Sequence, residues 1–462
     1  MSAAVDTRLL WVLISNFRGQ YNMAKDAQGH RLSGATTAAA ECIDEAVRAF
    51  TLNYGDVNAC VDRAQQHSPK CPMASLIRAW VPAQSNDPEQ LVGARQLVAQ
   101  LDEKEMNDRE RAHLAALQLT VNGRWPSAVA LLDRHLMSYP HDLVAHQVAM
   151  RLDGFQGRFP REAGRAARAL PFWSEQQLGH AIMLSFYGFG LEESGDYVRA
   201  EDIGRRAAEL EPLGYWPHHA ISHVLEMTGR PREGLQWMEE REPLWSTAQH
   251  SNRVHLWWHK ALFHVELGEF DKALGLYDNQ IAATVRPNGN SLCNPTALLW
   301  RLETLGCEAG ERWQPLFELW RERANGRTSL FNDIHAAMTA LRAGEMSSFE
   351  DLLVAMRAMA ADNGELAPAY RDLGVPAVEA MAQFSAGNYR DAVERLLPVR
   401  TELWRMGGSI AQRDLIDWTL TEAAVRAELP DVARSLANER LSWRPDSAIN
   451  RRFLSQAQAI AA

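Results

Sequence analysis

Seven of the fifteen histidines fall between His218 and His264, about a tenth of the 462 residues. Imidazole titrates near neutrality and is a common metal ligand, so such a cluster points to acid–base chemistry or to a metal. The spacing sharpens this. His219 and His223 are four residues apart, as are His255 and His259, and on a helix each pair shares a face one turn apart. Glu226, three residues after His223, joins the first pair. Three readings compete. The residues could be buried polar core, each hydrogen-bonded to a carbonyl or to Trp216, Trp257 or Trp258. They could hold a divalent transition metal through His219, His223 and His259, although no His-Glu-x-x-His run is present. Or they could act without a metal, with Glu226 orienting an imidazole. A cofactor is therefore a divalent transition metal or none.

The elements that must position these residues are legible as a repeat. Gly123-Arg-Trp125-Pro-Ser-Ala128, Gly195-Asp-Tyr197-Val-Arg-Ala200, Gly268-Glu-Phe270-Asp-Lys-Ala273 and Gly387-Asn-Tyr389-Arg-Asp-Ala392 share one pattern, with weaker copies at Gly157 and Gly229. From Gly123 to Gly268 the steps are 34, 38, 34 and 39 residues. Apolar residues recur at helical spacing on both sides of each glycine, which predicts two amphipathic helices joined at a tight turn. One such hairpin cannot bury its own apolar face, so the copies stack. The expected fold is all-α, a solenoid of helical hairpins. Further helices are expected at Thr37–Phe50, Leu91–Asp102 and Asn107–Leu119, and the turn-rich Arg286–Pro295 segment is expected to interrupt the rhythm. The expected division is a helical cap over 1–105, repeats carrying the histidines over 106–285, and C-terminal repeats over 286–462.

This pattern resembles the tetratricopeptide repeat, whose second helix opens with the same aromatic and small residues. In that superhelix the first helix of each hairpin lines a concave groove, which implies that His219, His223, Glu226 and His255 face inward, with His259 at the edge. The runs His219-Ala-x-x-His223-Val-x-Glu226-Met227 and His255-x-x-Trp258-His259-x-Ala261-Leu262 are similar to those of the tetratricopeptide repeat protein 38 family. So are Trp300-Arg301-Leu302, Phe331-Asn332-Asp333-x-His335 and Gln412-Arg413-Asp414. The resemblance runs from about residue 170 to 420, and more loosely over Asp26 to Phe50. It implies that Asp333, His335 and Asp414 join the histidines as catalytic groups. It also places Arg413 and Gln412 with them, Arg413 as the anchor for an anion, although Asp333 and Arg413 could instead form an inter-repeat salt bridge; Trp216, Trp257 and Trp258 are expected to wall the pocket and stack on a flat substrate.

Bulk properties narrow the partners. The net charge is −10 with no basic run, from which nucleic acid and anionic membranes are expected to be excluded. The apolar run Leu9–Ile14 is too short for a signal peptide and no stretch reaches a membrane span. The five cysteines form no Cys-x-x-Cys pair. A cytoplasmic protein with reduced thiols is expected. No Gly-x-Ser-x-Gly elbow or phosphate loop occurs. The expected function is therefore binding a small polar or anionic molecule in a His/Glu/Asp/Arg pocket, and converting it by hydrolase- or lyase-type chemistry. The alternative is a non-catalytic peptide- or protein-binding scaffold. Self-association is compatible with either.

Overall fold

A computed structural model describes residues 24–461; the Leu9–Ile14 run lies outside them. Among the described residues the only β pairing is isolated bridges, Lys25 with Arg31 and Tyr54 with His250. The rest is helix and turn. The central hairpins pair His180–Glu192 with Tyr197–Leu210, Tyr215–Met227 with Pro231–Trp245, and Arg253–Glu266 with Phe270–Leu276.

The repeat turns form where the pattern places them. At Gly195 the φ is +81°, its N–H reaches the Glu192 carbonyl at 2.8 Å, and the Asp196 N–H reaches that of Leu191 at 3.0 Å. A left-handed residue closes the helix in this way, and glycine does so at least cost. The small residue five places on (Ala128, Ala200, Ala273, Ala392) is fully buried at the helix–helix contact. The last hairpin departs from the rule. Its left-handed residue is Glu428, with φ +52°, so no glycine marked it.

The Thr37–Leu52 and Asp108–Val121 helices match their expected spans closely, and the expected Leu91–Asp102 helix runs instead from Pro88 to Val98. Asp87 caps that helix and Pro88 occupies its first position. The Arg286–Pro295 segment departs further. A helix runs from Gly289 to Thr304 with Pro295 inside it, started by the Asn288 side chain accepting from the Ser291 N–H. Proline lacks the N–H that would have reached the Ser291 carbonyl; the Asn294 Nδ2 donates to it instead, at 2.9 Å. That substitution matters for the site.

The stack closes on itself. The Gly408 N–H donates to the Gly154 carbonyl at 2.9 Å, and Gly157 lies so close to the Trp404 backbone that a Cβ there would stand 1.6 Å from its carbonyl oxygen. At another seam, Asn86 donates to Asn332 Oδ1 at 3.1 Å and the Gly55 N–H to the Gln249 carbonyl at 3.0 Å. The Ile410 N–H donates to Glu193 Oε1 at 3.0 Å. The helix Tyr215–Met227, buried at every residue but Glu226, is therefore an interior helix. A helix apolar all round is one enclosed on all sides; here four of the enclosed residues are Ser222, His218, His219 and His223.

Candidate functional site

His219 and His223 on Tyr215–Met227 meet His255 and His259 on Arg253–Glu266. His219 Nε2 is 2.9 Å from His255 Nε2, which is 3.2 Å from His259 Nε2. The His219 and His223 rings lie 4.3 Å apart and the His223 and His259 rings 4.6 Å apart. One nitrogen from each ring falls within 4.8 Å of all the others. Tyr215 stacks on His219 at 5.0 Å and Trp258 on His255 at 5.1 Å. Both rings fix imidazole orientation by packing.

Three of the four imidazoles face a polar side chain on their outer edge. His255 Nδ1 is 2.5 Å from Asn294 Oδ1, and the Asn294 amide is held by the carbonyls of Ser291 and Asn290. His259 Nδ1 is 3.2 Å from Glu226 Oε2. His223 Nδ1 is 3.2 Å from Glu192 Oε2; the approach lacks hydrogen-bond geometry, so both His223 nitrogens and both Glu192 oxygens are buried without a partner among the described residues. Burial, then the mutual repulsion of the rings, holds His219 and His255 far below the ordinary imidazole range, and His259 likewise. These rings are neutral at neutral pH. Burial raises the carboxyl of Glu192 well above the usual range, pushes Glu193 to about 7, and raises that of Glu226 against the pull of Arg444.

The cluster borders open space at His219 and His255. A cavity of about 50 Å³ touches His219, His255, Trp216 and Gln412. It adjoins a larger one, about 630 Å³, walled by amides including Asn53, Gln84, Asn252, Asn290 and Asn294. Arg151 lines both. Among the described residues its guanidinium has no carboxylate within 4.0 Å and no hydrogen bond, only the Phe155 ring at 5.3 Å. Burial lowers its pKa from the ordinary arginine value. An arginine without an anion, beside neutral imidazoles, is a ready receptor for one.

Of the residues expected at the site, His219, His223, Glu226, His255 and His259 come together, with Trp216, Trp258 and Gln412 at its edge. His259 is fully buried, not at the rim. The others lie elsewhere. Asp333 accepts from the Tyr370 hydroxyl at 2.6 Å and from the Gly326 N–H at 3.0 Å, closing a loop. His335 Nδ1 meets the Phe331 carbonyl at 2.8 Å. Asp414 pairs with Arg440 and Arg444 at 2.8 and 2.9 Å. Arg413 donates to the Gly408 carbonyl and stands 3.6 Å from the buried Glu193, and it lines neither cavity beside the cluster. Trp257 packs edge-on against Trp245. His218, His250 and His264 are held by the Pro212 carbonyl, the Leu213 carbonyl and Glu269 respectively.

Three contributors escaped the sequence reading: Glu192, Asn294 and Arg151. Glu192 stands three residues before its turn glycine, Gly195, as Glu226 stands before Gly229, so alignment on the turns exposes it. Arg151 carries no such signal.

No family model matches the chain. Solved structures similar to it are helical-repeat proteins. The APC/C hetero-tetramer Cut9-Hcn1 aligns at 11% identity and TM-score 0.46, over 96% of this chain and 81% of that one. The human IFIT1 dimer with PPP-AAAA aligns at 13% and 0.41, over 91% and 95%. The pentatricopeptide repeat protein PPR10 in complex with an 18-nt psaJ RNA element aligns at 13% and 0.27, over 99% and 77%. They go no further than the repeat fold, which is of the tetratricopeptide type. One expectation is corrected. The exclusion of nucleic acid does not hold, because a net charge of −10 sums a whole surface and says nothing of a local groove; two of these repeat proteins are themselves solved with PPP-AAAA and with RNA. Among the described residues no helix is long and apolar enough to cross a membrane, and all five cysteines are free.

Proposed function

We propose that this helical-repeat protein binds a small anionic molecule in its amide-walled cavity and acts on it at the imidazole floor. The unpaired Arg151 guanidinium between cavity and cluster carries this reading. The amides supply neutral donors and acceptors for a polar body, Arg151 fixes an anionic group, and the neutral ring of His255 lines the same space, with His219 in the small cavity adjoining it. Resemblance of the His219–Met227 and His255–Leu262 runs to the tetratricopeptide repeat protein 38 family supports placing the working residues there. A thermal-shift and calorimetric panel of inorganic phosphate, pyrophosphate, citrate and a short single-stranded RNA tests it. Arg151→Gln is expected to weaken the best binder by roughly 10-fold or more, the worth of a charge-assisted hydrogen bond, while leaving the unliganded melting temperature unchanged. A binder indifferent to Arg151→Gln would sink the reading.

A second reading, a protein-binding scaffold, is favoured by one observation. A groove of about 460 Å³ between the Gly195 turn and the C-terminal helices carries Trp443, 65% exposed, beside Arg400 and Glu439. Tryptophan and arginine are among the residues enriched at protein interfaces and their binding hot spots. Trp443→Ala would then abolish partner capture and leave anion binding untouched.

A further inference from the structure

Counting protons across the four rings leaves a gap. The Asn294 amide is oriented by two backbone carbonyls, so it presents its oxygen to His255. His255 Nδ1 must therefore carry the proton, and neutral His255 keeps only a lone pair at Nε2. His259, with Nδ1 facing the Glu226 carboxylate, likewise turns a lone pair inward. These two lone pairs face each other across 3.2 Å. His219 can donate one proton to His255, but its own Nδ1 is then buried without a donor, as are both nitrogens of His223. Buried polar atoms in native proteins are almost always partnered. A second cluster shows what satisfaction looks like. His113, His135 and Asp142 pass the same distance criterion, yet Trp80 Nε1 donates to His113 Nδ1, and His113, His135 and Arg109 all donate to Asp142. That set needs no cation.

We propose that His219, His223, His255 and His259 are the ligands of one first-row transition-metal dication of the zinc class. Tetrahedral ligation at about 2.0–2.1 Å sets ligand nitrogens roughly 3.3 Å apart, and the inward nitrogens of His219, His255 and His259 already stand at 2.9 and 3.2 Å. Imidazole donors select zinc, copper, nickel or iron over calcium and magnesium. The surroundings are those of a metal centre: Glu226 and Asn294 accept the outer N–H of two ligands, the arrangement that fixes tautomer and ring orientation. Glu192 approaches a third. His255 is the one ligand left partly exposed, so the centre faces the Arg151 cavity. The site stands whether or not an anion binds above it.

The test is metal content and spectroscopy on full-length protein purified without a histidine tag. About one equivalent of metal is expected, with a Co²⁺-substituted sample showing tetrahedral visible absorption. Asn294→Ala is expected to weaken Zn²⁺ binding ~10-fold or more by releasing the His255 tautomer, whereas Arg151→Gln keeps full metal content. His259→Gln should abolish binding; should that variant not fold, the imidazole shell in the X-ray absorption spectrum of the wild-type Zn²⁺ form decides. Wild-type protein with no stoichiometric metal, no Co²⁺ absorption and no thermal response to added Zn²⁺ overturns the proposal. So does metal retained undiminished by His259→Gln. Either failure leaves the Arg151 test standing, so the two readings fail separately.

Discussion

His218 is a buried imidazole with one partner, the Pro212 carbonyl 2.8 Å from Nε2, and burial brings its pKa from 6.5 to about 4. The folded state thus binds this proton less readily than the unfolded chain. Its contribution to stability is complete above pH 6.5 and is lost as the pH falls toward 4, by about 1.4 kcal/mol per pH unit. In His218→Gln, which keeps an N–H for Pro212, the acid limb of a denaturant-melt series between pH 6.5 and 4 should be shallower by that slope. An unchanged limb would show that the ring is charged when folded. At this scale the sequence is informative where chemistry is local. The i, i+4 histidines declare themselves because a helix converts spacing into a face, and Glu192 can be found by turn register. Arg151 cannot, since what distinguishes it is the absence of a carboxylate, a fact of the tertiary structure. The errors run the same way. Asp333 and Arg413 are polar residues in conspicuous runs, and only their neighbours reveal that Tyr370 and Glu193 occupy them.

At the scale of elements, two turn glycines separate local strain from packing. Gly268 and Gly157 share a left-handed φ, +73° and +67°. Nothing lies within 4 Å of a Cβ at Gly268, whereas at Gly157 the Trp404 backbone blocks it. Gly268→Ala should cost about 1–2 kcal/mol, the price of the backbone conformation. Gly157→Ala should cost clearly more and expose the 400–408 segment to protease, because the seam must part; equal losses in urea melts would refute the contact. The helix ending at Trp443 offers a further case. Burial alone would raise the Asp414 carboxyl, yet Arg440, Arg444 and Arg301 hold it well below the usual range. Asp414→Asn strands those cations and should cost about 3–5 kcal/mol, read as a shifted midpoint at constant m-value. The hairpins were legible because glycine, aromatic and small residue each answer a local demand. The Gly289–Thr304 helix was hidden because its proline is tolerated only through Asn294, whose usefulness depends on His255 in another hairpin.

Over the whole molecule, closure determines access. His219, His223 and His259 are at most 4% exposed, and only His255 has exposure toward the large cavity. In metal-stripped protein, diethylpyrocarbonate should therefore modify His255 first among the four, with the rest protected until the fold opens. Mass spectrometry showing simultaneous labelling would mean that the ring breathes as a unit. The seams were invisible beforehand, since Gly408 and Gly154, or Asn86 and Asn332, meet across more than half the chain and obey no repeat period. Their consequence reaches into descent. An open solenoid lengthens or shortens by whole hairpins, because each copy touches only its neighbours. A chain whose Gly408 must arrive at Gly154 has no such freedom: one hairpin gained or lost would carry the two edges past each other and unmake the central chamber. Lineages of this protein should vary in loop length and surface residues while holding the number of hairpins fixed.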